Sequence, residues 1–178
     1  MVKKQALILI SWFSKPTDIW FPWIKTVLEK KGYTVFVPDL PTIRTKFPKL
    51  KKMLEKVKKT LVINKNTLII GHSLGTLVAL RLAEKQLIKK MILVSAWDFD
   101  DLTKEHKSFW QTPINHRKIK NHVKEIAIIQ GEKDPFVTAF TAQEMSKRLN
   151  AKFLLIKGLG HFGKDDKCFK LPQILKFL

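Results

Sequence analysis

The sequence predicts an α/β domain built on a mostly parallel, doubly wound sheet. Six short, nearly unbroken apolar runs recur along the chain, and segments of helical periodicity separate them. At 178 residues the chain has the length of one domain. Unbroken apolar character is what parallel strands need when both faces are covered.

The first run is Ala6–Ile10. Lys3 and Lys4 precede it and give it some likeness to a signal peptide. However, the run is short, no small-residue cleavage site follows, and Lys15-Pro16-Thr17-Asp18 reads as a loop. A buried first strand is the better reading. Pro22 to Lys31 then places Trp23, Ile24, Val27 and Leu28 on one helical side, with Pro22 suited to the first turn. Thr34–Val37 is the second strand. Lys49 to Val62 repeats Leu50, Met53, Leu54, Val57 and Leu61 at helical spacing, leaving Lys49, Lys52, Lys56 and Lys59 on another stripe.

The third strand, Thr67–Ile70, leads into Leu74–Lys85, so apolar that this helix should be central. Met91–Val94 is the fourth strand. After it comes a long polar and aromatic insertion, about 96–123, which predicts either a functional loop or helices of its own. Ile126–Ile129 and Phe153–Ile156 complete the sheet. Between them, Thr141 and Glu144 are spaced as a capping box for a helix ending at Leu149, and Leu171–Leu178 predicts a closing helix.

Net charge is +19. That sum alone points to a polyanion, yet only Arg44, Arg81, Arg117 and Arg148 among the 34 basic residues are arginine. Arginine is the residue suited to bidentate phosphate and base recognition, so nucleic acid and anionic membrane are not expected partners. No apolar run reaches the length of a membrane span. The single cysteine, Cys168, allows no internal disulfide, and a cytoplasmic location is expected.

The chemistry lies in Gly71-His72-Ser73-Leu74-Gly75, a Gly-x-Ser-x-Gly pattern. In a nucleophile elbow the serine stands on a sharp turn between strand and helix. Three fixed positions recur by accident in roughly 6% of chains this long, so context must decide. Here a strand precedes the motif and a helix follows it directly. A serine needs a base, and the base needs an acid to hold its tautomer. The α/β-hydrolase fold supplies them in the order Ser, Asp or Glu, His. Asp134 follows the fifth strand and His161 the sixth, the latter flanked by Gly158 and Gly160. His106, His116 and His122 read as surface residues of the insertion, and His72 should point away from the line of attack. Asp98, Asp100 and Asp101 follow the fourth strand and are rival candidates for the acid.

On these residues the chain resembles the small serine hydrolases that include YdeN-like bacterial proteins and the vertebrate retinoblastoma-binding serine hydrolase. Trp20-Phe21-Pro22-Trp23, Gly32 and Pro38-Asp39-Leu40-Pro41 extend the resemblance over nearly the whole chain. It implies a compact α/β-hydrolase core without a large cap, with Ser73, Asp134 and His161 as triad. Oxyanion donors are expected at the backbone N–H groups of Leu74 and Trp12. Relatives carry His-Gly where this chain has Ile10-Ser11, which predicts a strained turn there.

The expected activity is hydrolysis of an ester, thioester or amide through an acyl-enzyme on Ser73. Trp12, Phe13, Trp97, Phe109, Trp110, Phe136 and Phe162 should stand near the mouth and favour small or apolar acyl groups. No cofactor is expected, since metal-ligand spacings, phosphate loops and dinucleotide fingerprints are lacking. The competing expectation is a protein-interaction module on a hydrolase fold with little turnover.

Overall fold

A computed structural model describes residues 4–178; Lys3, one of the two lysines before the first apolar run, lies outside them. The chain runs through β1 (Gln5–Leu9), α1 (Phe21–Lys30), β2 (Thr34–Phe36), α2 (Leu50–Thr60), β3 (Thr67–His72), α3 (Leu74–Ala83) and β4 (Ile88–Val94). It continues through α4 (His116–His122), β5 (Val123–Gly131), α5 (Ala139–Leu149) and β6 (Lys152–Ile156). All five strand pairings are parallel, in the order β2-β1-β3-β4-β5-β6.

The order reverses between β1 and β3, because the chain steps outward to β2 before returning to start the other half of the sheet. Open α/β sheets bind ligands in the crevice at such a point, beyond the carboxyl ends of the strands. Every residue of β3 and of α3 is buried, so the segment carrying Ser73 is fixed inside the core. Arg81 of α3 donates to the carbonyls of Phe109, Thr112 and Pro113 and pairs with Glu84 at 3.0 Å. These charge-assisted bonds fasten the insertion to the central helix. The insertion itself holds a 3₁₀ turn at Lys107–Phe109 and then α4.

Two helix ends depart from expectation. Thr138, not Thr141, caps α5: its hydroxyl accepts the Thr141 N–H at 3.1 Å, and Glu144 pairs with Lys147 rather than closing a capping box. The closing helix is a 3₁₀ segment, Pro172–Phe177. Cys168 is a buried free thiol whose pKa burial pushes up to about 11, which removes it as a nucleophile at neutral pH.

On α2, Met53 and Val57 are buried while Lys49, Lys52, Lys56 and Lys59 are all exposed, as the spacing requires. No ion pair among the described residues involves these four lysines. A solvated stripe of this kind is expected to give no binding of duplex DNA or anionic vesicles at near-physiological salt. Tight binding with a steep loss as salt rises would show a docking strip instead. No helix among the described residues is long and apolar enough to cross a membrane.

Candidate active site

Ser73 has φ 51° and ψ −122°, a conformation that costs a non-glycine residue on the order of 1–3 kcal/mol. Its neighbours over-determine it. The Ser73 N–H donates to Val94 O at 2.9 Å, continuing the β3–β4 ladder one residue past the strand. The Ser73 carbonyl accepts from Thr76 N–H at 2.8 Å and from the Thr76 hydroxyl at 2.6 Å. The turn therefore holds the side chain at the start of α3, above the crevice.

Ser73, His161 and Asp134 lie in one hydrogen-bonded line. The Ser73 hydroxyl donates to His161 Nε2 at 2.8 Å, and His161 Nδ1–H donates to Asp134 Oδ2 at 2.8 Å. The other Asp134 oxygen accepts the N–H groups of Phe136 (2.9 Å) and Val137 (3.0 Å), and Gln130 Nε2 donates to Oδ2 at 3.0 Å. The histidine loop is stapled to the loop after β5: Lys133 N–H donates to Leu159 O at 2.8 Å, and Gly158 N–H to Glu132 Oε2 at 2.9 Å. Gly131 permits this approach, since a Cβ there would stand 2.0 Å from Gly160 O. Beyond the histidine, Phe162 is fully buried and anchors the loop's far side.

Burial alone would raise the Asp134 pKa, but the His161 imidazole and the two backbone amides reverse this and bring it down to about 2. The sign of the linkage follows. A depressed carboxyl pKa contributes stability that is complete above 3.8 and is lost as pH falls toward 2. Asp134→Asn is expected to flatten acid unfolding over that window, measured by circular dichroism against pH. Equal acid midpoints, after correction for stability at neutral pH, would rule the linkage out.

At the strand-one exit the expected strain is relocated. Ile10 and Ser11 have ordinary negative φ, and the left-handed residue is Phe13, at φ 58°. The turn closes through Ser14 N–H to Ser11 O at 3.2 Å and a 2.6 Å hydroxyl contact between Ser11 and Ser14. Trp12 is held by its indole N–H on Thr45 O at 2.9 Å. Neither the Trp12 nor the Leu74 backbone N–H is engaged by another group among the described residues, so both are free to donate.

The rival acids are occupied elsewhere. Asp98 binds Arg148 through both oxygens (2.7 and 2.8 Å) and His116 at 2.6 Å. Asp100 accepts from Leu102 N–H, and Asp101 from Thr103 and His106. The insertion histidines are not plain surface residues. His106 is buried on Asp101 and against the Trp12 ring, and His122 Nδ1 donates to Ala83 O. A buried histidine needs a partner; His106 has one nearby in sequence, whereas that of His122 comes from α3, 39 residues earlier. His72 makes its hydrogen bond not to the serine oxygen but to the main-chain carbonyl of His161, which its Nε2–H meets at 2.7 Å.

The family model described as Serine hydrolase matches residues 6–178. The chain belongs to the serine hydrolase family. It is similar to the serine hydrolase RBBP9 of Rattus norvegicus, at 30% identity over 163 residues, covering 90% of this chain and 86% of the rat protein. With YdeN of Bacillus subtilis it shares 26% identity, over 98% of this chain and 94% of that protein. The crystal structure of the Bacillus subtilis ydeN gene product superposes with a TM-score of 0.86 at 25% identity, covering 98% and 96% of the two chains. A structure reported with carboxylesterases of Nitrososphaera gargenis shares the fold, with a TM-score of 0.75 at 12% identity over 99% and 88%. This serine hydrolase thus has a six-stranded α/β-hydrolase architecture, and its family places an enzyme on that fold. Among the described residues no group of three or more His, Cys, Asp or Glu side chains could hold a metal ion.

Proposed function

We propose that this serine hydrolase is a carboxylesterase-type enzyme in which Ser73 is the nucleophile, His161 the base and Asp134 the supporting acid. The continuous line Ser73–His161–Asp134, with 2.8 Å at each link, carries the reading. Ser73 Oγ attacks the acyl carbonyl while His161 Nε2 takes its proton, and Asp134 stabilises the imidazolium that forms. The carbonyl oxygen gains negative charge, met by the Leu74 and Trp12 N–H groups at the start of α3 and the exit of β1. His161 then protonates the leaving alcohol. Water, deprotonated by the same imidazole, cleaves the acyl-enzyme and returns Ser73.

The surroundings favour a neutral, apolar acyl group in spite of the +19 charge. Loops 10–20, 37–49, 95–115, 132–138 and 157–171 follow strands at the catalytic edge. They hold 11 of the 34 basic residues but ten of the 15 acidic ones, so the excess charge lies on the rest of the molecule. Large apolar side chains stand exposed on the same edge: Phe13, Phe99, Leu102, Phe136 and Phe140. Phe136 is 74% exposed and meets the His161 ring edge-on at 4.8 Å. Localisation in a reducing cytoplasm is supported by Cys168 being a free thiol.

The test is reaction of native protein with a fluorophosphonate, mapping the modified residue, followed by turnover of paired p-nitrophenyl esters. Ser73 should be labelled, and a butyryl ester should turn over faster than the anionic hemisuccinyl ester. A folded protein that leaves Ser73 unlabelled would favour the interaction module.

A further inference from the structure

We infer that His72 is a positioning residue that, together with the adjacent Ser73, grips residue 161 at both ends and so sets the serine–histidine distance. The inference rests on the triad reading above. Consecutive residues of one turn make the two contacts: His72 Nε2–H holds the His161 main-chain carbonyl at 2.7 Å, and Ser73 Oγ–H meets the His161 Nε2 at 2.8 Å. The loop bearing His161 comes from the far end of the sequence, after β6, at the other side of the sheet. Its bonds to the loop after β5 secure it relative to Asp134, but they do not reach the β3 turn. Among the described residues, the His72 contact is the main-chain hydrogen bond joining His161 to the nucleophile's own strand.

The His72 ring is well fitted to that task. It is 1% exposed and packs against the Trp20 and Phe21 rings, with centroids at 5.4 and 5.9 Å, and lies 5.3 Å from the His161 ring. Because a carbonyl can only accept, the tautomer carries its proton on Nε2. Burial, and then the neighbouring His161, push the His72 pKa down to about 3, so the ring stays neutral across the working range. A neutral donor keeps the contact at every pH where the enzyme works. It also sets no second positive charge beside the imidazolium that His161 becomes during acyl transfer. A lysine or arginine could make the hydrogen bond but would oppose that charge.

The experiment compares His72→Leu and His72→Met, which keep bulk without a donor, with His72→Gln, whose amide can restore one near Nε2. Fluorophosphonate labelling of Ser73 and turnover of p-nitrophenyl butyrate are measured for each, alongside thermal midpoints and the proton resonance of His161 Nδ1–H. The donor-less variants should show kcat and labelling rate lowered about tenfold, with KM held, as expected for one lost hydrogen bond. Their Nδ1–H resonance should broaden through exchange with solvent. The Gln variant should recover most of the rate and a sharp resonance. Leu, Met and Gln variants equally impaired, or impaired in proportion to their loss of thermal stability, would overturn positioning in favour of simple packing. Wild-type rates in the Leu or Met variant would overturn it as well. If wild-type Ser73 does not label, the triad reading fails and takes this inference with it; if it labels and the variants behave alike, only the inference fails.

Discussion

Ser73→Ala is expected to lower turnover of an activated ester by at least about 10³-fold, and His161→Ala by nearly as much. The double variant should be no slower than either single one. Residues acting as a unit lose the same step when any of them goes, because a serine without its base and a base without its serine both leave only substrate binding and the oxyanion donors. Asp134→Asn should fall between these and wild type, since the amide favours the wrong histidine tautomer while leaving nucleophile and base in place. Thermal midpoints should stay close to wild type for Ser73→Ala, which removes one hydroxyl from a strained turn. Steady-state kinetics on purified variants tests the series. Multiplicative losses in the double variant, or an active Ser73→Ala protein, would place the chemistry on another residue.

That series concerns the residues most legible in the sequence. Ser73, Asp134 and His161 each lie at or just past the carboxyl end of a strand, so their order along the chain and the fold class together specify one edge of the sheet. The core was legible for a similar reason: strands buried on both faces read as apolar runs. Strand limits were less so where charged residues extend them. β4 starts at Ile88 and β5 at Val123, because Lys90 and Glu125 pair across the two strands at 3.3 Å and keep the ladder going through polar sequence. The same applies to α5, whose start depends on a side-chain hydroxyl three residues before the apparent box. The role of His72 depends on a partner 89 residues away, and the burial of His106 on the Trp12 ring from the strand-one exit, contacts that only the folded chain makes. The strain at Phe13 rather than Ser11 likewise depends on how the turn is pulled: Phe13 N–H donates to Ile43 O at 3.0 Å, from the loop beyond β2.

Gly75→Ala is expected to cost 10²- to 10³-fold in kcat, roughly the effect of losing one oxyanion donor. Within a helix the same exchange normally stabilises by about 1 kcal/mol, so a loss here must come from a collision. The added Cβ would stand 2.3 Å from Leu9 O and 2.7 Å from Ile10 O. Both obstacles are backbone, and no side-chain rotation can relieve them. Either α3 must lift at its first turn, carrying the Leu74 amide, or the end of β1 must withdraw, carrying Trp12. Leu9 is paired with Gly71 in the sheet, which resists the second movement and shifts strain into the turn at Ser73. In every case the two donors separate while the triad's own hydrogen bonds remain available. The signature is therefore a fall in kcat with little change in KM, and slower fluorophosphonate labelling, since that reagent also develops charge on an oxygen in the hole. Gly163→Ala is the control: it lies two residues from His161, yet an added Cβ meets nothing within 4 Å, and wild-type rates are expected. A Gly75→Ala protein as fast as wild type would show that β1 and α3 can part without disturbing the hole, and would remove Trp12 as its second donor.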